Sequence, residues 1–450
     1  MVKIPEAISK VFKFKGKTKA YLVGGAVRDI LMGIEPEDFD FVVEGKGINF
    51  GKRFAKFVKG TFVLLSTEDD DGRVVKGEYN FDFNGLGNEG LEQNLARRDF
   101  TINALAIDLD APNAIIDLFS GLKHLDNRRL QPASRDSLKL DPLRLLRGFR
   151  FAAELGFKLE PDFFKQAEKV KLTNVAAERV SYELVRIVSS DDSFEHVMGM
   201  DKLGIFKQIM PEAAPIIKDR PLWKHSLATY EAVEGLLTKN RVFKNYDREF
   251  EEYVSLPRRR PLTKLAGLVH DIAKPHTQMI SEKGELHFYG HDTKGAKLVE
   301  SIGHERLKLS GNDVDVLVSL VKEHMRLHLL ATNKDLSDRA IRRFFRDLGP
   351  DYFGAMVVAW ADGYATAGRT RHLERTFFRM LDLKRADESK PKVDRLINGH
   401  DLIKNLKLVP GPIFKVILNE VLDQQLEGKI TSKEEALKLA RKIAKEHKPQ

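Results

Sequence analysis

The sequence of 450 residues contains no cysteine. That absence excludes disulfides, thiolate nucleophiles, and zinc or iron–sulfur sites built on cysteine. Long apolar runs are also missing, since the stretch at residues 355–360 is far shorter than the roughly 20 residues that a membrane-spanning helix needs. The first residues, MVKIPEAISKVFKFKGK, lack the apolar centre of a signal peptide. We therefore expect a cytoplasmic protein without a membrane partner.

The charge balance favours an anionic partner. Lysine and arginine number 75 against 66 acidic residues, which gives a net charge of +9. Because phosphate contacts dominate nucleic-acid affinity, this excess is a weak indication of nucleic-acid binding. The apolar share of 42% is ordinary for a globular protein, and the length predicts about three domains.

Two changes of pattern divide the chain. Short β-rich runs alternate with helical stretches over the first ~125 residues, whereas apolar patterns from residue 136 onward have helical period. A further boundary is predicted at residues 218–221, and the charged stretch 239–261 is interpreted as an irregular insertion outside the core. Thr431 and Glu434 predict a capping box before the last helix. The predicted fold class is α+β, a small mixed α/β head followed by helices, with domains at 1–125, 126–218, 219–375 and 376–450.

A glycine pair in LVGGAVRD lies between a predicted strand and a predicted helix. Gly24 and Gly25 allow backbone N–H groups to approach a phosphate, the helix N-terminus favours anions, and Arg28 adds a cation. The alternative is an ordinary tight turn, which also uses glycine. The segment is therefore a candidate phosphate cradle.

Carboxylates follow this turn in the segment EDFDFVV. Asp38 and Asp40 are two residues apart in a predicted strand, so both side chains lie on one face. Two adjacent carboxylates repel each other unless a divalent cation lies between them, and oxygen ligands suit Mg²⁺. Asp82, in YNFDF, is a candidate third carboxylate from a neighbouring strand. The alternative is a solvated strand end.

Arginines dominate the next two segments. LARRDFTINALAID places Arg97, Arg98, Asp99 and Asn103 before a buried strand, which predicts a charged cluster near the nucleotide. In LDPLRLLRGFRFAAELGF, arginines recur every three residues along one helix face, and we expect them to require anionic or base partners. The alternative is pairing with local acids such as Glu154 and Asp141. The three arginines are Arg144, Arg147 and Arg150.

Histidines are few, 13 in all, but several lie in helical patterns beside aspartates. The doublet His270-Asp271 is in an apolar helix, where burial of both groups without a partner is costly. Imidazole and carboxylate ligands from several helices suit a divalent transition metal. His324 and His328 share a helix face, although only one of them need be a ligand. The candidate ligands are His225, His270, Asp271, His291, His324 and Asp362.

The order and spacing of the head motifs resemble those of class II tRNA nucleotidyltransferases and bacterial poly(A) polymerases, most specifically over residues 20–185. The resemblance implies template-independent addition of CTP- and ATP-derived nucleotides to an RNA 3′ end, with tRNA as the expected substrate. It implies Mg²⁺ at Asp38 and Asp40, and base selection by Asp141 and Arg144. It further implies that nucleotide contacts come from Gly25, Arg28, Arg98, Arg147 and Arg150.

The histidine–aspartate series resembles the HD phosphohydrolase superfamily. That resemblance implies core ligands at His225, His270, Asp271 and Asp362, and a second-metal set that includes His291 and His324. A metal-bound hydroxide attacking a phosphate ester is the implied chemistry. The predicted domains are then a nucleotidyltransferase head, a nucleotide-selecting neck, an HD domain and C-terminal helices.

One residue departs from the family pattern. The family has Glu-Asp at the start of the base-selecting helix, whereas Leu140 precedes Asp141 here. Since leucine cannot orient Arg144 through an ion pair, addition of only CC or only A competes with addition of the full CCA. The same motifs also fit a poly(A) polymerase, a non-catalytic RNA-binding protein, or a phosphohydrolase with a nucleotide-sensing head.

Overall fold

The predicted fold class is confirmed by a computed structural model, which describes residues 5–88, 90–389 and 394–446. A mixed α/β head is followed by a largely helical region. Among the described residues, no helix is both long and apolar enough to cross a membrane.

The head is built on a sheet of seven strands within the described residues, in the order β3-β4-β5-β2-β1-β6-β7. Strands β2 and β5 are parallel and the other neighbouring pairs are antiparallel. The strands are β1 (Ala20–Val23), β2 (Asp38–Val43), β3 (Thr61–Ser66), β4 (Asp71–Lys76), β5 (Tyr79–Gly85), β6 (Leu105–Asp108) and β7 (Ile115–Asp117). The head helices are α1 (Glu6–Lys15), α2 (Gly25–Leu31), α3 (Gly47–Val58), α4 (Gly90–Ala96) and α5 (Gly121–Asp126).

Alternation along β2 and β5 separates the core from the site. Phe39 stacks on Phe81 and Phe41 on Phe83, with ring centroids 5.5 and 5.3 Å apart, and all four rings are buried. Because successive side chains point to opposite faces, the polar residues between them lie on the other face of the sheet. The pairing of two phenylalanine rows therefore fixes the register that places carboxylates of β2 and β5 side by side.

The region after the head is helical apart from the two-residue strands β8 (Arg129–Leu130), β9 (Lys158–Leu159), β10 (Met279–Ile280) and β11 (Leu286–His287). As far as the next boundary, the helices are α6 (Ser137–Leu140), α7 (Arg144–Leu155), α8 (Pro161–Ala167), α9 (Ala177–Ser189), α10 (Phe194–Lys202), α11 (Ile205–Ile209) and α12 (Ala214–Lys218). They continue as α13 (Arg220–Thr238), α14 (Asp247–Val254), α15 (Arg259–Val269), α16 (His291–Ser301), α17 (Gly311–Thr332), α18 (Asp338–Leu348), α19 (Tyr352–Ala367) and α20 (Arg371–Glu388). The last three are α21 (Gly399–Leu406), α22 (Pro412–Leu426) and α23 (Lys433–Glu446).

Apolar packing divides the molecule differently from secondary structure. One buried cluster runs from Phe100 to Leu381 and joins helices of the neck to the histidine-bearing helices. The main head cluster and a C-terminal cluster, Ile397 to Ala444, are separate from it. Helix α9 belongs to the large cluster and packs against both α7 and α15. The neck therefore connects the two regions in which candidate site residues lie.

The prediction that residues 239–261 form an insertion outside the core is wrong. Phe243, Tyr246, Phe250 and Tyr253 are buried, and Phe243 packs edge-on against Phe353 at 4.7 Å. The aromatic residues are spaced three or four apart, so they form one apolar face although charged residues surround them in sequence. Helix α14 and the start of α15 lie within this stretch.

The capping box before α23 is shifted by one residue from its predicted position. Ser432 Oγ accepts a hydrogen bond from the Glu435 amide, and Glu435 accepts hydrogen bonds from the amides of Thr431 and Ser432. The reciprocal pair is therefore Ser432 with Glu435 rather than Thr431 with Glu434. The helix begins at Lys433.

Candidate active sites

The turn between β1 and α2 requires glycine for two reasons. Gly24 has φ +80°, a conformation that L-residues rarely adopt, and a Cβ at this position would collide with Arg98 and Asp40. Helix α2 begins at Gly25, and Arg28 lies one turn into it. Arg28 is buried and donates hydrogen bonds to Asn103 at 2.7 Å and to Asp29 at 2.8 Å. The cation is thus held rigidly beside the turn.

The three candidate carboxylates lie on one face of the sheet. Asp40 of β2 is in register with Asp82 of β5, and Arg98 Nη1 lies 3.7 Å from Asp40 Oδ2. Partial burial and the nearby carboxylates of Asp82 and Asp38 raise the pKa of Asp40, while Arg98 opposes this effect. Because mutual repulsion disfavours the ionised state, a divalent cation coordinated here would stabilise it. Asp38 and Asp40 therefore fit a Mg²⁺ site.

Asp82 has a protein partner that the sequence did not indicate. Arg73 of β4 donates to both of its carboxylate oxygens, at 2.8 Å each. Each oxygen retains a second lone pair, so this ion pair does not by itself prevent Asp82 from coordinating a metal. Its catalytic role remains a prediction.

A pocket of about 360 Å³ opens beside the carboxylates and extends to α7 and α9. Phe151 lies within it, with the guanidinium carbons of Arg28, Arg147 and Arg150 at 5.1, 5.4 and 4.1 Å from its ring centroid. The electron-rich ring attracts cations, and this attraction offsets part of the repulsion between the guanidinium groups. The predicted site residues that line the pocket are Gly25, Arg28, Asp38, Asp40, Arg98, Asp99, Asn103, Arg147 and Arg150.

Two arginines of the α7 row pair with acids of the chain, which is the alternative that the sequence left open. Arg147 donates to Asp99 at 2.6 and 2.9 Å, and against the effect of burial this guanidinium lowers the pKa of Asp99. Arg150 donates to Glu183 at 2.5 Å and to Glu154 at 2.8 Å. Each guanidinium is fixed in place, and whether it also contacts a nucleotide remains a prediction.

The predicted base-selecting pair lies outside the pocket lining. Arg144 donates to the backbone carbonyls of Arg97, at 2.5 Å, and Arg98, at 3.3 Å. Asp141 instead pairs with Arg179 at 3.2 Å. Leu140 ends α6 and is 62% exposed. Arg144 and Asp141 therefore have different partners in this structure.

Several pocket residues are absent from the sequence-based prediction. Phe151 lies in an apolar helical pattern typical of a core residue, and Arg186 lies far away in sequence on α9. Arg186 donates to Glu154 at 2.6 Å and lines the pocket. The spacing of three between Glu183 and Arg186 could have indicated a polar helix face, but not what that face meets.

The second candidate site brings the six predicted ligands together from five helical segments. His225 Nε2 lies 3.0 Å from Asp362 Oδ1, and His270 Nε2 lies 3.2 Å from Asp271 Oδ2. His291 Nε2 and His324 Nε2 are 3.3 Å apart, and each faces Asp271 Oδ1. Two groups have ligand atoms close enough to share one metal ion, namely His225 with His270 and Asp362, and His270 with Asp271 and His324.

Backbone contacts orient the imidazoles for metal binding. The Nδ1 atoms of His270, His291 and His324 lie 2.9, 2.7 and 2.6 Å from the carbonyl oxygens of Gly267, Phe288 and Val321. Since a carbonyl only accepts, each Nδ1 carries the hydrogen and Nε2 faces the cluster.

Asp271 has one oxygen that only a cation in the cluster could satisfy. Its Oδ1 is buried and accepts no hydrogen bond within the described residues, whereas its Oδ2 pairs with Lys274. Burial lowers the pKa of His270, but the carboxylates of Asp271 and Asp362 outweigh it and raise this pKa to about 10. The site therefore favours positive charge, as a bound dication would supply. Two residues that were not predicted as ligands form ion pairs with carboxylates of this site. Lys274 lies 2.5 Å from Asp271, and His328 lies 2.9 Å from Asp362.

Comparison with protein families matches four stretches of the chain. Residues 20–131 match the poly A polymerase head domain, and residues 156–217 match the probable RNA and SrmB-binding site of polymerase A. Residues 222–367 match the HD domain, and residues 369–440 match tRNA nucleotidyltransferase domain 2.

Two relatives match over nearly the whole chain. The A-adding tRNA nucleotidyltransferase of Deinococcus radiodurans is 31% identical and covers 95% of this chain and 96% of its own. The CC-adding tRNA nucleotidyltransferase of Thermus thermophilus is 32% identical and covers 94% of each. A solved structure of the Thermotoga maritima CCA-adding enzyme complexed with tRNA has a TM-score of 0.66 at 20% identity, covering 99% and 97% of the two chains, and so shares the fold.

Proposed function

The chain belongs to the family of tRNA nucleotidyltransferases, and we propose that it adds cytidylate or adenylate residues of the CCA sequence to the 3′ end of tRNA. The observation that supports this most strongly is the placement of Asp38 and Asp40 at the edge of an arginine-lined pocket, next to the glycine turn. CTP and ATP are the proposed donors. We assign the head to residues 1–125, the neck to 126–218, the HD domain to 219–375 and the C-terminal helices to 376–450.

In the proposed reaction, the tRNA 3′-hydroxyl oxygen forms a bond to the α-phosphorus of the nucleotide, and the bond to pyrophosphate breaks. Mg²⁺ held by Asp38 and Asp40 would polarise the phosphate and lower the pKa of the attacking hydroxyl. The amides after Gly24 and the side chains of Arg28 and Arg98 bind the triphosphate. Asp99 fixes Arg147 through two hydrogen bonds, so that its guanidinium needs no reorganisation.

Two observations favour a partial reaction, only CC or only A, over the full CCA sequence. The two relatives above that match the chain nearly end to end are named for adding A or CC. Arg144 is engaged by backbone carbonyls, and Leu140 cannot pair with it. Arg144 in this arrangement lacks an acidic partner that would reorient it between recognition of C and recognition of A.

An incorporation assay tests the proposal. Purified chain with Mg²⁺ is given tRNA ending at the discriminator base, at C or at CC, each with CTP, ATP or both. Two C additions that then stop, or one A added only to the CC-ending tRNA, would support a partial enzyme. Addition of CCA would overturn the partial reaction but retain the family function, and long A tracts would indicate a poly(A) polymerase. No incorporation on any tRNA would contradict the proposed function.

The histidine–aspartate site is a second, metal-dependent phosphohydrolase in this proposal. His225, His270, Asp271 and Asp362 would hold the first metal, and His291 and His324 would complete a second. The buried Oδ1 of Asp271, which accepts no hydrogen bond within the described residues, supports this assignment. Elemental analysis after dialysis against Mn²⁺, Ni²⁺, Co²⁺ or Zn²⁺, together with hydrolysis of 2′,3′-cyclic AMP, tests it. A chain that retains no metal and hydrolyses no phosphate ester would contradict it.

A further inference from the structure

A cleft of about 430 Å³ lies between α9 and the region of the HD domain that includes Arg258 and Lys308, and we call it the neck cleft. One wall is the face of α9 that carries Glu178, Tyr182 and Arg186, which are spaced four residues apart. Residues at this spacing lie above one another on a helix, so they form a continuous strip. The opposite wall belongs to the HD domain. The neck cleft is a separate cavity from both of the sites described above.

Tyr182 gives the neck cleft an open aromatic surface. It is 56% exposed, although α9 packs against both α7 and α15. Arg186 donates a hydrogen bond to the Tyr182 hydroxyl at 2.7 Å, and its guanidinium carbon lies 5.5 Å from the ring centroid. The ring is therefore held in one orientation while much of its surface remains accessible.

The described lining of the neck cleft has three basic residues, Arg186, Arg258 and Lys308, and one acid, Glu178. Acids beside the cleft hold two of these cations in place, since Arg258 donates to Asp313 at 2.8 Å and Arg186 to Glu154 at 2.6 Å. Arg258 and Lys308 both have left-handed backbone conformations, with φ of +58° and +46°. Such conformations are costly for residues other than glycine and are concentrated at binding sites. An exposed ring flanked by cations is the combination that binds a nucleobase and its phosphates.

Arg186 connects the neck cleft to the pocket beside Asp38 and Asp40, which we call the transfer pocket, because it lines both. A ligand in the cleft can therefore be continuous with one in the pocket. A free nucleoside triphosphate does not need this second surface, since the pocket already has the glycine turn and five arginines. A polynucleotide strand can occupy both spaces at once.

On this geometry we propose that the neck cleft binds the 3′-terminal nucleotides of the RNA substrate, with Tyr182 stacking on a base and Lys308 and Arg258 contacting phosphates. The proposal rests on the proposed transferase function and adds a positioning surface to it. Tyr182 is a positioning residue, and the expected effect of its loss is on RNA affinity rather than on binding of CTP or ATP.

The test uses full-length protein and tRNA transcripts ending at the discriminator base and at CC. Tyr182→Ala is expected to weaken tRNA binding about tenfold, because one base–aromatic stack is lost, while the KM for nucleotide stays unchanged. Tyr182→Phe retains the ring and should stay within about twofold of wild type. Lys308→Gln should reduce the slope of log Kd against log salt by about 0.7, as expected for one lost phosphate contact. Tyr364→Ala removes a 48% exposed tyrosine on α19 and is the matched control.

A spectroscopic readout separates stacking from a structural role. With 2-aminopurine as the last base of the tRNA, binding should quench its fluorescence in wild type and Tyr182→Phe but not in Tyr182→Ala. Equal tRNA affinity and equal quenching in Tyr182→Ala and wild type would overturn the proposal. Wild-type protein that binds tRNA through Tyr182 but adds no nucleotide would contradict the transferase function and leave the cleft assignment supported.

Discussion

At the residue scale, the carboxylates of the head are placed together at a measurable cost. Asp71 of β4 lies near Asp82 and Asp40, and one of its oxygens is buried without a hydrogen-bond partner among the described residues. Partial burial and these two neighbours raise the pKa of Asp71 to about 6. Repulsion between these carboxylates destabilises the folded chain when no metal is bound. The same repulsion favours binding of a dication, which would neutralise the carboxylates.

Asp71→Asn is expected to change how stability depends on pH. The pKa of Asp71 is higher in the folded chain than in the unfolded chain, so the folded chain binds more protons between about pH 4 and 6 and loses stability as pH rises through that window. Relative to wild type, the variant should gain about 1–2 kcal/mol between pH 4 and pH 8, a figure reduced for solvent screening. Urea unfolding in EDTA at both pH values measures it, and an equal effect of the substitution at the two values would contradict the shift.

The residues that can be identified from the sequence are those whose chemistry is local. Asp38 and Asp40 share a face because strands alternate, and Asp82 lies beside Asp40 because two phenylalanine rows set the register. The partners of Arg147 and Arg150 are not local, since Asp99 and Glu183 come from different elements. No period in the sequence encodes those contacts, so the sequence alone leaves open whether the arginines bind a ligand or pair with acids of the chain.

At the scale of elements, α7 and α9 are joined by a buried ion pair. Arg150 and Glu183 have side chains only 8% and 3% exposed, and Arg150 also contacts Glu154. Glu183→Ala leaves Arg150 with one partner, so we expect a loss of about 2–4 kcal/mol in the free energy of unfolding. Denaturant unfolding measures it, with exposed Glu231→Ala as the control. A loss equal to that of the control would show that Glu154 alone satisfies Arg150.

The segment before α15 is the element for which the sequence-based prediction fails, because the charges around four aromatic residues outweigh them in the pattern. Phe243 is fully buried against Phe353 and Phe377. Phe243→Ala should lower the free energy of unfolding by about 3–5 kcal/mol through the cavity it leaves. Arg248→Ala, at a side chain 85% exposed in the same segment, should change it by less than about 0.5 kcal/mol. Similar effects of the two substitutions would support the original prediction that residues 239–261 lie outside the core.

At the scale of the whole molecule, the two candidate sites lie on different cores. The carboxylates of β2 lie on the sheet of the head cluster, whereas the histidine ligands come from helices of the large cluster. Helix α9 contacts α7 beside the pocket and α15, at whose end His270 and Asp271 lie. Helix α10 forms a second connection, since it packs against both α7 and the histidine-bearing helix α13.

Two isosteric substitutions measure that independence. Asp40→Asn should reduce nucleotide addition about 1,000-fold or more, because a metal ligand at the reacting phosphate contributes several kcal/mol, and should leave the transition-metal content and cyclic phosphodiesterase rate unchanged. Asp271→Asn should remove bound transition metal and hydrolysis but retain addition within about twofold, since α9 keeps its packing against α15. Elemental analysis and both rate measurements on each variant show whether either substitution affects the other site. Loss of addition in Asp271→Asn with normal folding would mean that the neck helices couple the sites, because no ligand of the second site lines the transfer pocket.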